Sequence, residues 1–156
     1  MKKYFIVLFA LLSLHSYAQS SGISFEHSNW DSAIKKAKSE NKLIFLDAYT
    51  SWCGPCKALQ AKVFPDKKLG EFFNSNFVNV KIDMEEGEGP KIANMYPVRG
   101  YPTLFFIDPN TGKIVNEILG YKDINQLLAF GVQVQDQKAK MVPTKTKKSK
   151  KLLKAA

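Results

Sequence analysis

The stretch Leu43-Ile44-Phe45-Leu46-Asp47-Ala48-Tyr49-Thr50-Ser51-Trp52-Cys53-Gly54-Pro55-Cys56-Lys57 decides the fold. Leu43 to Asp47 is a short apolar run of the kind found in strands buried on both faces. A helical pattern then continues from the cysteines through Lys57, Leu59, Lys62 and Val63. Cys53 and Cys56 are the only two cysteines of the 156-residue chain. A pair at this spacing can close a disulfide within one helical turn and open it again. With no third thiol, the redox partner must be a second molecule.

The two thiols are expected to differ. Cys53 falls just before or at the first helical turn, where unpaired N–H groups and the helix dipole stabilise a thiolate, so it is the attacking thiol. Cys56, one turn inward, suits the resolving role. Gly54 is expected to allow a tight backbone turn. Pro55 fits an early helical position, where a missing N–H costs least. Two other readings of the pair exist. Half a zinc site would need further ligands, and outside the first residues the chain offers only His27. A structural disulfide closing so small a loop would stabilise weakly.

Asp47 is either a strand-end cap or a buried carboxylate placed to take the proton of Cys56. Trp52, on composition alone, is a core aromatic. Pro102, between Tyr101 and an apolar run, is in most settings a turn residue, and X–Pro bonds are cis in only about one case in twenty.

Working outward, Trp30, Ile34 and Ala37 recur at helical spacing after Asn29. Leu69, Phe72 and Phe73 form a second short helical face, and Phe77 to Asp83 alternates as a strand. Ile92, Met95 and Tyr96 suggest a further turn of helix. Thr103 to Asp108 and Lys113 to Leu119 form a hairpin about the Asp108-Pro109-Asn110-Thr111-Gly112 turn. Asp123 is a candidate N-cap for a last helix. The order is (β)αβαβαββα, an α/β class in which helix-separated strands favour parallel pairing and the hairpin is antiparallel.

Lys2 and Lys3, the apolar run Tyr4 to Leu14 and Ser16-Tyr17-Ala18 form a signal-peptide pattern over residues 1–18, with an uncleaved anchor as the alternative. Export to the periplasm or beyond is therefore expected, where a disulfide can persist. The formal net charge is +9, but eight lysines crowd residues 138–156 and two lie in the signal. Taking these ten from 23 basic residues leaves 13 against 14 carboxylates. The domain, placed at 19–135, is nearly neutral, and its charge gives no case for nucleic-acid binding. The Lys-rich tail, 138–156, has little to bury and is expected to be disordered. Contact of that tail with an anionic membrane is the less favoured reading.

These residues together resemble the thioredoxin family: Asp47 six before Cys53, the Trp-Cys-Gly-Pro-Cys-Lys string, Val98-Arg99-Gly100-Tyr101-Pro102-Thr103, and Gly120 after the hairpin. The resemblance runs from about Phe25 to Phe130. It implies a thioredoxin fold, a central mixed sheet flanked by helices. It implies catalytic roles for Cys53, Cys56 and Asp47, a cis bond at Pro102 facing the disulfide, and contact with substrate at Trp52, Gly54, Pro55, Tyr101 and Pro102. No cofactor beyond the cysteine pair and no metal is implied. The partners implied are protein disulfides and an upstream thiol donor, with the protein a monomer. The Lys62-Val63-Phe64-Pro65-Asp66 segment is similar to exported reductase domains, such as the C-terminal domain of transmembrane disulfide reductases. A lysine that thioredoxins often carry near the buried Asp aligns with Asn79. Reduction of client disulfides is the expected activity. Oxidase or isomerase action, or a thioredoxin-fold binding module or chaperone, are the alternatives.

Overall fold

The computed structural model describes residues 22–27 and 29–141, so the signal-peptide pattern and the tail beyond 141 lie outside the described residues. The elements are α1 (Trp30–Ser39), β1 (Leu43–Tyr49), α2 (Gly54–Lys62), α3 (Lys67–Asn76), β2 (Phe77–Asp83), α4 (Gly89–Met95), β3 (Thr103–Ile107), β4 (Ile114–Leu119) and α5 (Ile124–Met141).

Local chemistry sets the helix starts. The Asn29 side chain accepts from the Ser32 N–H at 2.9 Å, and Asp66 accepts from the Leu69 N–H at 2.8 Å. At α5, Asp123 Oδ1 accepts from the Gln126 N–H at 2.8 Å while Gln126 Oε1 accepts from the Asp123 N–H at 3.1 Å. This reciprocal pair satisfies two helix-end donors at once. At α1, Asp31 lies in the first turn and Lys36 and Lys38 in the last, each matching the helix dipole.

The four strands lie in the order β2-β1-β3-β4. β1 and β2 run parallel, with Asp47 opposite Lys81. β3 is antiparallel to β1, with Asp47 opposite Leu104, and β4 is antiparallel to β3. The parallel pairing expected of helix-separated strands therefore fails at β3. Helix α4, at about 1.5 Å per residue, covers only about 10 Å. The connection does not run back along the sheet, because Thr103 pairs with Ala48, next to the Tyr49–Asp83 pair that ends β2. The chain thus enters β3 at the end where it left β2. The first, bracketed strand of the expected order is reduced to one bridge, Glu26 with Val80.

Side chains alternate across β1 into two cores. Ile44, Leu46 and Ala48 pack with α1 and α4 through Trp30, Ala37 and Ile92. Leu43 and Phe45 pack on the other face with Leu59 and Val63 near α2, Phe73 of α3 and Leu127 of α5. Phe45 is the centre of this second core, with ring centroids 4.7 Å from Phe73 and 5.3 Å from Phe106. Phe45→Ala is expected to cost about 3–5 kcal/mol, measured as a lower urea midpoint with an unchanged slope.

The expected boundary of the tail needs correction. Helix α5 continues through Met141, so Lys138 and Lys140 belong to its last turn and not to a disordered segment. The Lys138 ammonium donates to the Asn41 carbonyl, beyond the N-terminal end of β1. The other end of the described chain enters beside the same pole, where the Ile23 N–H donates to the Phe64 carbonyl at 2.7 Å.

Candidate functional site

Helix α2 begins on the cysteine pair. Cys53 is its N-cap, in extended conformation, and Pro55 occupies the first turn. The pair is a disulfide with Cα atoms 5.3 Å apart. The Cys56 N–H donates to Cys53 Sγ at 3.1 Å, so the sulfur already takes the place of a capping oxygen. A thiolate at that atom would accept the same bond and face the positive end of the helix. Cys56 is fully buried and Cys53 is 3% exposed. Gly54 does not serve the purpose expected of it. Its φ is ordinary and a Cβ there would meet nothing within 4 Å. Gly54 and Pro55 instead form a bare, exposed surface over the disulfide.

Asp47 lies inside β1 and not at its end, with no solvent exposure. Strand alternation puts it on the same face as Leu43 and Phe45, the face that α2 covers. Neither carboxylate oxygen has a hydrogen-bond partner among the described residues. Burial pushes its pKa up to about 7, while the Lys81 charge pulls the other way. Lys81 is the basic neighbour that was expected to be lost at Asn79. The parallel register pairs Asn79 with Phe45 and brings Lys81 opposite Asp47. Its ammonium lies 4.9 Å above the Tyr49 ring, a cation–π arrangement, and makes no ion pair with Asp47.

The second wall comes from the turn before β3. The Tyr101–Pro102 bond is cis. The turn is tied down by the Thr103 hydroxyl donating to the Gly100 carbonyl at 2.7 Å, and by the Gly120 N–H donating to the Pro102 carbonyl at 2.8 Å. Gly120 adopts φ +81°, a conformation that favours glycine. Trp52 joins the walls. Its ring meets that of Tyr101 edge-on at 5.8 Å, and its indole N–H donates to Glu85 Oε2 at 2.9 Å. Trp52 is 64% exposed, which excludes the core-aromatic reading.

The structure thus brings the cysteine helix and the cis-proline turn together through Trp52 and Tyr101, and sets Asp47 on the face covered by α2. Sequence reasoning missed Lys81, Glu85 and Thr50. Lys81 could have been found by extending the parallel register from Leu43 and Phe77. Thr50, whose hydroxyl is buried without a partner among the described residues, has no sequence signal beyond its place in the motif. Among the described residues, no group of three or more His, Cys, Asp or Glu is placed to hold a metal. Chemically the arrangement can attack a disulfide, resolve it internally and move one proton near neutral pH.

Comparison with known proteins agrees with this geometry. The solution structure of a Bacteroides thetaiotaomicron protein, provisionally called a disulphide-isomerase, is similar with TM-score 0.62 and 43% identity, covering 74% of this chain and 97% of that one. Thioredoxin H4 of Arabidopsis thaliana is 35% identical over 96 residues, 60% of this chain and 75% of its own length. The oxidised C-terminal domain of Neisseria meningitidis DsbD shares the fold at 19% identity, TM-score 0.55, over 66% of this chain and 90% of its own. The family model of the thioredoxin-like domain matches residues 30–135, and with the fold and the Cys53–Cys56 disulfide in agreement, the chain belongs to the thioredoxin-like thiol–disulfide oxidoreductases.

Proposed function

We propose that the protein is an exported, monomeric disulfide reductase acting on client proteins. The observation that carries this reading is the Cys53 sulfur held as the N-cap of α2, with Cys56 buried behind it. In the reduced protein, the Cys53 thiolate attacks a client disulfide and displaces one client thiolate, forming a mixed disulfide. Cys56 loses its proton to Asp47, attacks Cys53 Sγ and releases the second client thiol. Two electrons pass to the client and the protein ends as the disulfide seen here. Tyr101 and Pro102 offer the client an extended backbone partner, and Gly54 and Pro55 leave space above the sulfurs. An upstream thiol donor then restores the dithiol. The Lys-rich tail takes no part in this chemistry.

Direction rests on the Gly-Pro pair between the cysteines and on Lys57 after them, a pattern without the histidine that oxidants and isomerases commonly place there. The name given to the Bacteroides relative favours an isomerase as the second reading. The reduction potential separates them. A midpoint near the thioredoxin value of about −270 mV, with catalysed reduction of insulin, is expected. A midpoint above about −180 mV, with rearrangement of scrambled ribonuclease but no insulin reduction, would replace the reductase reading with the isomerase one.

A further inference from the structure

Among the described residues, Lys81 is the charge that acts on the Asp47 carboxyl, and the fold turns it aside. Lys81 stands directly opposite Asp47 in the parallel register of β1 and β2. Tyr49 is two residues further along β1, so it projects from the same face as Asp47. The Lys81 stem can therefore lead its ammonium across to Asp47 or diagonally to Tyr49. It leads to Tyr49, with the ammonium 4.9 Å from the centre of the ring and in no ion pair among the described residues. There Lys81 lines an open groove with Tyr49, Glu26, His27 and Glu88. This preference has a physical cause. An ammonium over a ring face in an open groove keeps contact with water, whereas one set against Asp47 enters a fully buried site.

The other elements around Asp47 bring it no compensating charge. β3 places Leu104 opposite it, and α2 begins on the Cys53–Cys56 pair. The ring under Lys81 is itself neutral. Burial first, then the carboxylates of Asp83, Asp47 and Glu86, raise the Tyr49 phenol above its ordinary pKa, so it keeps its proton near neutral pH. A neutral ring attracts the cation through its π face alone. An ammonium paired with Asp47 would instead favour the carboxylate form and weaken its hold on a proton.

We propose that Tyr49 is a positioning residue of the exchange reaction: its ring holds the Lys81 ammonium off the Asp47 carboxyl, which leaves that carboxyl a strong enough base to take the Cys56 proton. The proposal rests on Asp47 as the proton acceptor of the disulfide-exchange reading above and adds what sets its strength. In that step Cys56 gives its proton to Asp47 and its sulfur bonds to Cys53 Sγ. The bond between Cys53 and the client breaks, and the client leaves as a thiolate. Tyr49 acts on this step through Lys81.

The test uses the mature chain with its aspartate carboxyls labelled with carbon-13. The Asp47 midpoint is read by NMR in the disulfide form. Stopped flow follows release of a fluorescent, disulfide-cyclised peptide from Cys53 across pH. Tyr49→Leu frees Lys81 and should lower the Asp47 midpoint from about 7 by at least about half a pH unit. The rise of peptide release with pH should move down with it. Tyr49→Phe keeps the ring and should retain the parent's midpoint and pH profile. Lys81→Met should raise the midpoint, and adding Tyr49→Leu to it should change nothing further. A midpoint unmoved by Tyr49→Leu overturns the proposal. So does a shift that persists beside Lys81→Met, because the ring would then act by covering Asp47. Should Tyr49→Leu fail to fold, the parent decides alone. Its Lys81 ε-methylene should resonate upfield of those of the other lysines, shifted by the Tyr49 ring, and an unshifted signal overturns the proposal. The two readings fail differently. If peptide release by the parent ignores the Asp47 midpoint, the acceptor role falls and the role of Tyr49 with it. If release follows that midpoint while neither responds to Tyr49→Leu, the Tyr49 inference alone is wrong.

Discussion

Asp47→Asn is expected to stabilise the disulfide form by about 4 kcal/mol at pH 8–9 and to change it little at pH 4. The unfolded carboxyl titrates near 3.8 and the folded one near 7, held up by burial. Between those values the native state keeps a proton that the unfolded chain has lost, so wild-type stability falls as pH rises through that window. Below it both states are protonated and the residue contributes no pH dependence. Above it the full difference, about 4 kcal/mol, stands against folding. Asparagine has no charge to bury. Urea unfolding of both proteins at a series of pH values tests this, and a stability difference constant from pH 4 to 9 would refute the account. The same variant should turn over more slowly, because Cys56 loses the acceptor for its proton.

The second large effect separates the two sulfurs. Cys53→Ser should reduce insulin no faster than the reaction without protein, since the attacking atom is gone. Cys56→Ser should still attack, then stop after one event with the client held on Cys53. Intact mass would show one client bound per protein. Trapping by Cys53→Ser in place of Cys56→Ser would reverse the assigned roles. Release of the client by Cys56→Ser at the parent's rate would show that Cys56 resolves nothing.

What could be seen in the chain was local. The buried strand, the helix started by the cysteines, the Asp108–Gly112 turn and the Asp123 cap each depend on neighbours within a few residues. Three features depend on distant partners, which the local sequence does not display. Lys81 stands opposite Asp47 only because β1 and β2 pair in parallel, and that register joins residues 34 apart. Trp52 is fixed outside the core by Glu85, 33 residues on. The direction of β3 is set by where the β2–β3 connection delivers the chain, with Thr103 paired to Ala48 beside the end of β2. Composition misjudged Lys138 and Lys140, because a helix already formed extends at small cost through residues with good helix propensity. The cis bond at Pro102 came from family resemblance, since nothing in the local residues distinguishes it from a common turn.

The anchoring of Ile23 on Phe64 and of Lys138 on Asn41 has an engineering consequence. Both contacts lie at the pole away from the cysteines, where β1 begins and α2 ends. A bead, a fluorescent label or a second enzyme coupled at the pole marked by Ile23 and Lys138 therefore meets the molecule from behind. Such conjugates should remain competent for catalysis, and that pole suits surface immobilisation.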